Sequence, residues 1–494
     1  MESTPLSTND ATRTPVLVGI GAATQREEDF TRALEPMDLM LKAVAAAGAD
    51  SGRSETLRGA QTIAVPRGRW SYANPAGEIA RHIGASHPVT VMADVGVLQQ
   101  TLIGEACARI ARGESHTTIV AGADAGWRIL RAQIAKQRAT ERVHDDKPDV
   151  YLAPQSELRH PAEKRAGMQM PVGLYAIMES AFRASQGWPV ADHRDRLALL
   201  GERCSRIAAA NPHAWQRRVA GAAEIRDASE RNPMQAFPYT RLHCSSWNVD
   251  QAAALVFCSV ARATELGIER SRWIYPVAST ESNHMVPVSA REALHDCPGA
   301  RIAGRAAVEA LGLAAREIDL IDLYSCFPLA MEVYAAALGL ALDRDLTVTG
   351  GMPFAGGPYN NYVLQATCRA AELMRAGCGR TALVSSVSGV LTKQGFGVWS
   401  IDPGRAFAHI DVSDDVAREA RTLEVLNDYS GPGRIAGYTV VHGRGQEPRG
   451  VAVVTTDAGQ RTVAVTTAPG SIARMQAEEL VGRAVQILDN ELAL

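Results

Sequence analysis

The sequence has few aromatic side chains. Phe, Trp and Tyr make up 5% of its 494 residues, too few for a stacking platform along single-stranded nucleic acid. It also lacks an excess of either charge. Fifty-one Lys and Arg face 54 Asp and Glu, for a net charge of −3. No global basic field exists to hold a phosphodiester polymer or an anionic membrane, so any phosphate must be met locally. No apolar run reaches the roughly 18 residues of a membrane-spanning helix. The opening MESTPLSTNDAT is polar and has no apolar secretory core. Residues 1–13 are therefore expected to be a disordered tail on a cytoplasmic protein. The eight cysteines stand singly, at 107, 204, 244, 258, 297, 326, 368 and 378. No CxxC pair, HExxH, Walker loop or GxSxG elbow occurs. No disulfide framework and no metal centre are expected, and most cysteines read as small buried apolar residues.

What the chain does have is alternation. TPVLVGIGAA (Thr14–Ala23), AQTIAVP, PVTVMAD (Pro88–Asp94) and TTIVAGAD (Thr117–Asp124) read as strands. Helical patterns separate them at Pro36–Ala47, Asn74–Ile83 and Gly96–Arg112, which predicts right-handed crossovers and a largely parallel sheet. From Ala125 to about Ser246 the alternation stops. A stretch of that length cannot be a structureless loop in a compact domain, so it reads as an inserted subdomain. Alternation resumes at AAALVFCSV (Ala252–Val260) and runs through a second series ending at RTALVSSVS (Arg380–Ser388). Beyond residue 410, short β-branched runs between Gly, Pro and Asp turns predict a small β-rich domain closed by an amphipathic stretch, Ala477–Leu494.

Four turn regions carry candidate chemistry, because sites in α/β folds gather at strand ends. They are DVGVLQQ (Asp94–Gln100), YSCFP (Tyr324–Pro328), GGMPFAGGPYNNY (Gly350–Tyr362) and SSVSG (Ser385–Gly389). Two weaker motifs are set aside. GIGAAT (Gly19–Thr24) lacks the third glycine of a dinucleotide fingerprint and reads as close packing. HRD (His193–Asp195) has no companion kinase motifs and reads as helix surface.

In this order the segments resemble the thiolase superfamily over about residues 14–405. The branch most similar lies near the sterol carrier protein X thiolases and proteins described as acetyl-CoA acetyltransferases. WNVDQAAAL (Trp247–Leu255) resembles the N-x-x-D-G-A-A-A run of thiolases, with Gln251 in place of Gly. The resemblance implies an α/β thiolase fold of two similar halves in five layers (αβαβα). The halves would be 14–260, carrying the insertion 125–246, and 261–410. The addition at 411–494 resembles the small C-terminal β-rich domain of thiolase-like protein type 1.

The family's reactive positions do not match. Counting back from Gly113 places Gly96 where the resemblance calls for the nucleophilic Cys. Tyr324 stands where an Asn or His would open the oxyanion motif, with Cys326 at its third position. Gly356-Gly357-Pro358 replaces G-H-P, so Gly357 stands for the His. Ser385 or Ser386 replaces the acid/base Cys. Losing a nucleophile or its base removes several powers of ten in rate. The resemblance thus implies an acyltransferase-family protein of lipid metabolism that binds CoA or acyl-CoA thioesters without the usual thiolase turnover. A tyrosine-dependent CoA-thioester lyase (a retro-aldolase) and a non-catalytic lipid carrier or scaffold stand as alternatives. Tyr324, Cys326, Ser385 and Ser386 are the catalytic candidates. Gly96, Val387, Gly357, Tyr359, Tyr362 and Asn248 are the ligand-binding candidates, with backbone N–H groups of Gly96 and Val387 as a donor pair for a thioester oxygen. A local excess of cations at 125–166, including Arg138 and Arg142, is either a phosphate contact or a solvated face. No cofactor, nucleic acid or membrane span is expected beyond the CoA thioester or lipid, and the chain is expected as a monomer or homodimer.

Overall fold

The computed structural model describes residues 10–143, 146–154, 157–404, 406–443 and 445–494. Most of the expected tail, residues 1–9, lies outside the described residues. Residues 10–13 form an ordered turn, with Arg13 N donating to Asp10 O.

Two sheets carry the body. In the first, six strands run in the spatial order Pro15–Gln25, Asp250–Ser259, Thr117–Ala125, Thr62–Pro66, Val89–Ala93 and Val150–Leu152. Its last four strands are parallel, as expected. Asp250–Ser259 runs antiparallel to both neighbours, which the alternation pattern did not foresee. Its run of buried Ala and Val packs on both faces, so direction leaves no trace in the residue pattern. The second sheet orders Leu320–Asp322, Thr381–Ser388, Lys393–Ser400, Tyr275–Ser282 and Ala408–Asp411.

Helices Gln99–Ala111 and Tyr362–Arg375 touch both sheets and form the middle layer. Helices Pro36–Asp50 and Pro75–Ile83 cover the outer face of the first sheet, and Pro298–Leu311 that of the second. Five layers result. Gly19 and Gly21 let the first strand meet helix Pro36–Asp50. A Cβ there would lie 2.3 Å from Ala47 O and 2.1 Å from Ala43 O, respectively.

The β-rich C-terminal region joins strands Gly431–Gly443, Gln446–Thr456, Arg461–Thr466, Ala484–Leu488 and Glu491–Ala493. Gly431–Gly443 and Gln446–Thr456 pair and close it into a small barrel. Two short strands of the insertion, Met234–Ala236 and Tyr239–Thr240, extend the same sheet. The amphipathic stretch Ala477–Leu494 ends in two strands whose residues alternate exposed and buried. Asp489 and Asn490, both at positive φ, turn a β-hairpin there, the backbone that two-residue hairpins favour. DVSDDVAREARTLEVL, from residue 411, reads as an acidic helix in the sequence; only Ser413–Glu419 of it is helical, which is a correction. His193 is also corrected: it is 0% exposed, because helix Val190–Ala210 turns it inward onto Glu179.

Candidate functional site

Strand Leu320–Asp322 is short because its chain leaves the sheet at Tyr324, and Pro328 at the first helical position starts helix Pro328–Leu338. The intervening loop is stitched to its neighbours. Tyr324 N donates to Ser385 Oγ at 2.8 Å, at the end of the adjacent parallel strand. Ser325 Oγ accepts from Met352 N at 2.9 Å. Ser245 N donates to Cys326 O, and Ser246 N to Met352 O. Gly357 N in turn donates to Ser246 O at 2.9 Å. Three of the four turns named from the sequence, YSCFP, GGMPFAGGPYNNY and SSVSG, thus form one connected body.

Beneath them Asp322 acts as the fastener. Its Oδ2 accepts from Thr347 Oγ1, Val348 N, Thr349 N and Thr349 Oγ1 at 2.8–3.0 Å. Its Oδ1 accepts from Tyr362 Oη at 2.8 Å. Burial raises the acid's pKa, and these hydrogen bonds oppose the rise. Sequence reasoning missed Asp322. Its only signal was an acid at the end of a buried strand.

Tyr362 is therefore corrected as a ligand-facing residue. It is fully buried and its hydroxyl is spent on Asp322. Its ring meets Tyr324 edge-on, with centroids 5.7 Å apart. Tyr324 is 8% exposed, and burial raises its phenol well above the usual value. Burial also pushes the Cys326 thiol up to about 12. Both are thus protonated at neutral pH, so Tyr324 can donate a hydrogen bond or a proton, and Cys326 is no thiolate nucleophile.

Ser385 and Ser386 lie side by side on a strand and so face opposite ways. Ser385 faces the Tyr324 loop. Ser386 sits across from Gly395, where a Cβ would lie 2.9 Å from Gln100 Cβ of the middle layer. Of the two serines, only Ser385 touches the candidate site, through the backbone of Tyr324.

Gly96 and Gly357 are closed over. A Cβ on Gly96 would lie 2.9 Å from Pro154 Cγ, and its φ of +104° disfavours any side chain. A Cβ on Gly357 would lie 2.0 Å from Ser245 Oγ. Gly96 precedes helix Gln99–Ala111 by three residues, so its N–H is not the helix terminus expected from the sequence. Its carbonyl accepts from Lys393 Nζ at 2.9 Å. Lys393 adjoins the Val387–Gln394 pair of the second sheet, which puts Gly96 and Val387 in one neighbourhood. Lys393 was not foreseen; burial lowers its pKa.

Tyr359 and Asn248 gather around Arg69. Asn248 Oδ1 accepts from Arg69 Nη1 at 3.4 Å. The guanidinium lies 5.7 Å from the Tyr359 ring and 5.3 Å from the Trp247 ring. Buried Asp124 anchors it at 2.6 Å. An open groove of about 540 Å³ runs here, lined by Arg67, Arg69, Arg138, Trp70, Val95 and Tyr359 among others. Val95 places the groove beside Gly96. Arg67 and Arg69 follow directly after strand Thr62–Pro66, a strand-end position that could have been read from the sequence. Of the cations at 125–166, Arg142 pairs with Glu35 and Asp38, Arg131 with Glu28 and Lys164 with Glu157. These three serve the fold's own surface, while Arg138 lines the groove.

No protein-family model matches the sequence, and no curated protein matches it. Solved structures do. A monomeric SCP2-thiolase-like protein type 1 from Mycobacterium smegmatis is 27% identical, with 98% of this chain and 99% of that chain covered and a TM-score of 0.83. The Ltp2–ChsH2(DUF35) aldolase is similar at 18% identity over 79% of this chain and 99% of that one, with a TM-score of 0.59. Acetyl-CoA acetyltransferase from Syntrophomonas wolfei is similar at 16% identity over 79% of this chain and all of that one, with a TM-score of 0.55. The chain has the thiolase-superfamily fold with a separate β-rich C-terminal region. No helix among the described residues is long and apolar enough to cross a membrane.

Proposed function

We propose that the protein binds CoA thioesters in the groove beside Gly96 and does not carry out cysteine-based acyl transfer. The observation behind this reading is the double closure. Pro154 and Ser245 fill the space that a side chain on Gly96 or Gly357 would need. With neither thiol nor imidazole there, no acyl-enzyme forms at that point. Arg138 supplies a local cation for the phosphates of CoA, beside Arg67 and Arg69, whose guanidiniums pair with Asp94 and Asp124, and Tyr359 supplies ring surface. The protonated phenol of Tyr324 is a hydrogen-bond donor at the second sheet's end of the site. Calorimetry with CoA, acetyl-CoA and a long-chain acyl-CoA tests the reading. Binding that weakens on Arg138→Ala is expected, with no acyl-enzyme burst from acetoacetyl-CoA plus CoA. A burst, or no binding to any of the three, sinks it.

A second reading is a tyrosine-dependent CoA-thioester lyase. The edge-on Tyr324–Tyr362 pair favours it, because it presents one phenol from a fixed direction. The likeness to an aldolase that includes a DUF35 partner supports the same reading. The C-terminal barrel of this chain, paired with strand Met234–Ala236 of the insertion, would take the place of such a partner. Cleavage of a β-hydroxyacyl-CoA that is lost on Tyr324→Phe supports it. No cleavage across steroid and fatty substrates sinks it.

A further inference from the structure

Helices Pro171–Ser185 and Val190–Ala210 of the insertion meet helix Pro328–Leu338 behind the Tyr324 loop. Three side chains converge there: Glu179, His193 and Glu332, at 0%, 0% and 1% exposure. One ligand atom from each lies within 4.8 Å of the other two, the one such group among the described residues. His193 Nε2 is 2.8 Å from Glu179 Oε1. The hydroxyl of Tyr239 donates to Glu179 Oε2. Trp188 stacks on the imidazole with centroids 5.5 Å apart and fixes the ring. Glu332 Oε2 is buried and has no hydrogen-bond partner among the described residues. Arg196, whose charge acts on Glu332, lies over the Trp188 ring at 4.6 Å.

Burial beside Glu179 raises the pKa of Glu332 and leaves the two carboxyl groups sharing a proton, a place that a cation held by both carboxylates and the imidazole can take, since burying unpaired charge is costly. Hydrogen bonds within the group leave Glu332 Oε2 unmet. We propose that Glu179, His193 and Glu332 form a closed structural site for a divalent ion of the zinc class. Imidazole with two carboxylates suits Zn²⁺, with Mn²⁺ and Fe²⁺ as the other ions such a donor set takes. Donors about 2.0–2.2 Å from one ion stand roughly 3–4 Å apart, and this group fits that spacing with small side-chain shifts. Charge balances: two carboxylates and a neutral imidazole offset M²⁺, and the displaced protons pass to solvent. Tyr239 holds Glu179 from outside the ion's ligand shell, as supporting hydrogen bonds do in metal sites. The site sits far from any sequence motif for metal, because its ligands come from three helices.

The ion ties both insertion helices to the helix that follows Tyr324. The rings of Tyr239 and Tyr175 rest on Phe327, at 5.8 and 4.6 Å, between the ion site and the loop. This role is independent of what the groove binds. The test uses the full-length protein, purified without chelator. Metal content is measured by mass spectrometry before and after unfolding and refolding in zinc sulfate or in EDTA. About one equivalent is expected in the zinc sample, with a melting temperature above that of the EDTA sample. Glu332→Gln is expected to lose the ion. Manganese or iron at the same stoichiometry, lost in the same variant, also supports the site. Three results overturn it. One is no ion after refolding in zinc, with identical melting temperatures. Another is full retention by the combined Glu332→Gln and His193→Gln variant. The third is zinc held through sulfur, seen by X-ray absorption. If the variants do not fold, the zinc-against-EDTA comparison and the absorption spectrum on the wild type decide.

Discussion

Asp322 and Glu332 flank the Tyr324 loop, ten residues apart, and both are buried acids. Asp322 is saturated: four donors meet one oxygen and a phenol meets the other. Glu332 has an oxygen with no hydrogen-bond partner among the described residues. The contrast shows how differently the fold treats its two sides. On the Asp322 side the loops are stitched shut, and Gly96 and Gly357 are covered by Pro154 and Ser245. On the Glu332 side, titratable groups collect behind the loop in the insertion. A buried carboxylate with all lone pairs filled is a fastener, whereas one left open points to an occupant.

The strongest way to break this comparison is to rebuild the closed side. Gly96→Cys with Gly357→His overpacks two positions, one at positive φ, and is expected to cost roughly 4 kcal/mol by denaturant unfolding. No thiolysis of acetoacetyl-CoA should appear. A folded variant with thiolase turnover would show that the space was never closed.

A third buried acid, Asp250, lies between the two extremes. It accepts from Arg128 N and Gln25 Nε2, and burial raises its pKa to about 6, with Asp124 adding to the rise. The folded state therefore holds this proton where the unfolded chain, near 3.8, has lost it. Stability from this group is full below pH 3.8 and is lost as pH rises through 6, by about 3 kcal/mol in all. Asp250→Asn should flatten that portion of the pH–stability curve. An unchanged curve would mean the pocket is wetter than the structure shows.

Asp322→Asn sharpens the fastener's role. The amide turns an N–H₂ toward groups that already donate, and a loss of about 2 kcal/mol is expected in thermal unfolding. A neutral effect would place Asp322 with the open acids. The smallest change in stability is expected for Tyr324→Phe, under about 1 kcal/mol, because no hydrogen bond to its hydroxyl occurs among the described residues. The same variant should abolish any lyase activity, so stability and turnover separate there.

The layered halves were legible in the sequence because each strand and helix carries its own hydrophobic period. Gly96 and Gly357 were picked out only through the resemblance to thiolases, which implies a Cys and a His at those positions. Tyr324, Cys326 and Ser385 were named, and the structure gathers them, through contacts between strand ends that a linear pattern only suggests. Tyr362 was misplaced because a tyrosine in a Gly-rich turn looks the same whether its hydroxyl meets a ligand or Asp322. His193 was misread because its partners, Glu179 and Glu332, come from two other helices.

The sequence by itself thus determined the alternation that builds five layers and the glycines at 96 and 357, since both are properties of residues in order. Only the tertiary structure decided that Pro154 and Ser245 close over Gly96 and Gly357, that Arg67, Arg69 and Arg138 share a groove, and that two glutamates and a histidine meet in the dry. Those are encounters between segments from tens to more than a hundred residues apart. Packing sets them, and no local period records them.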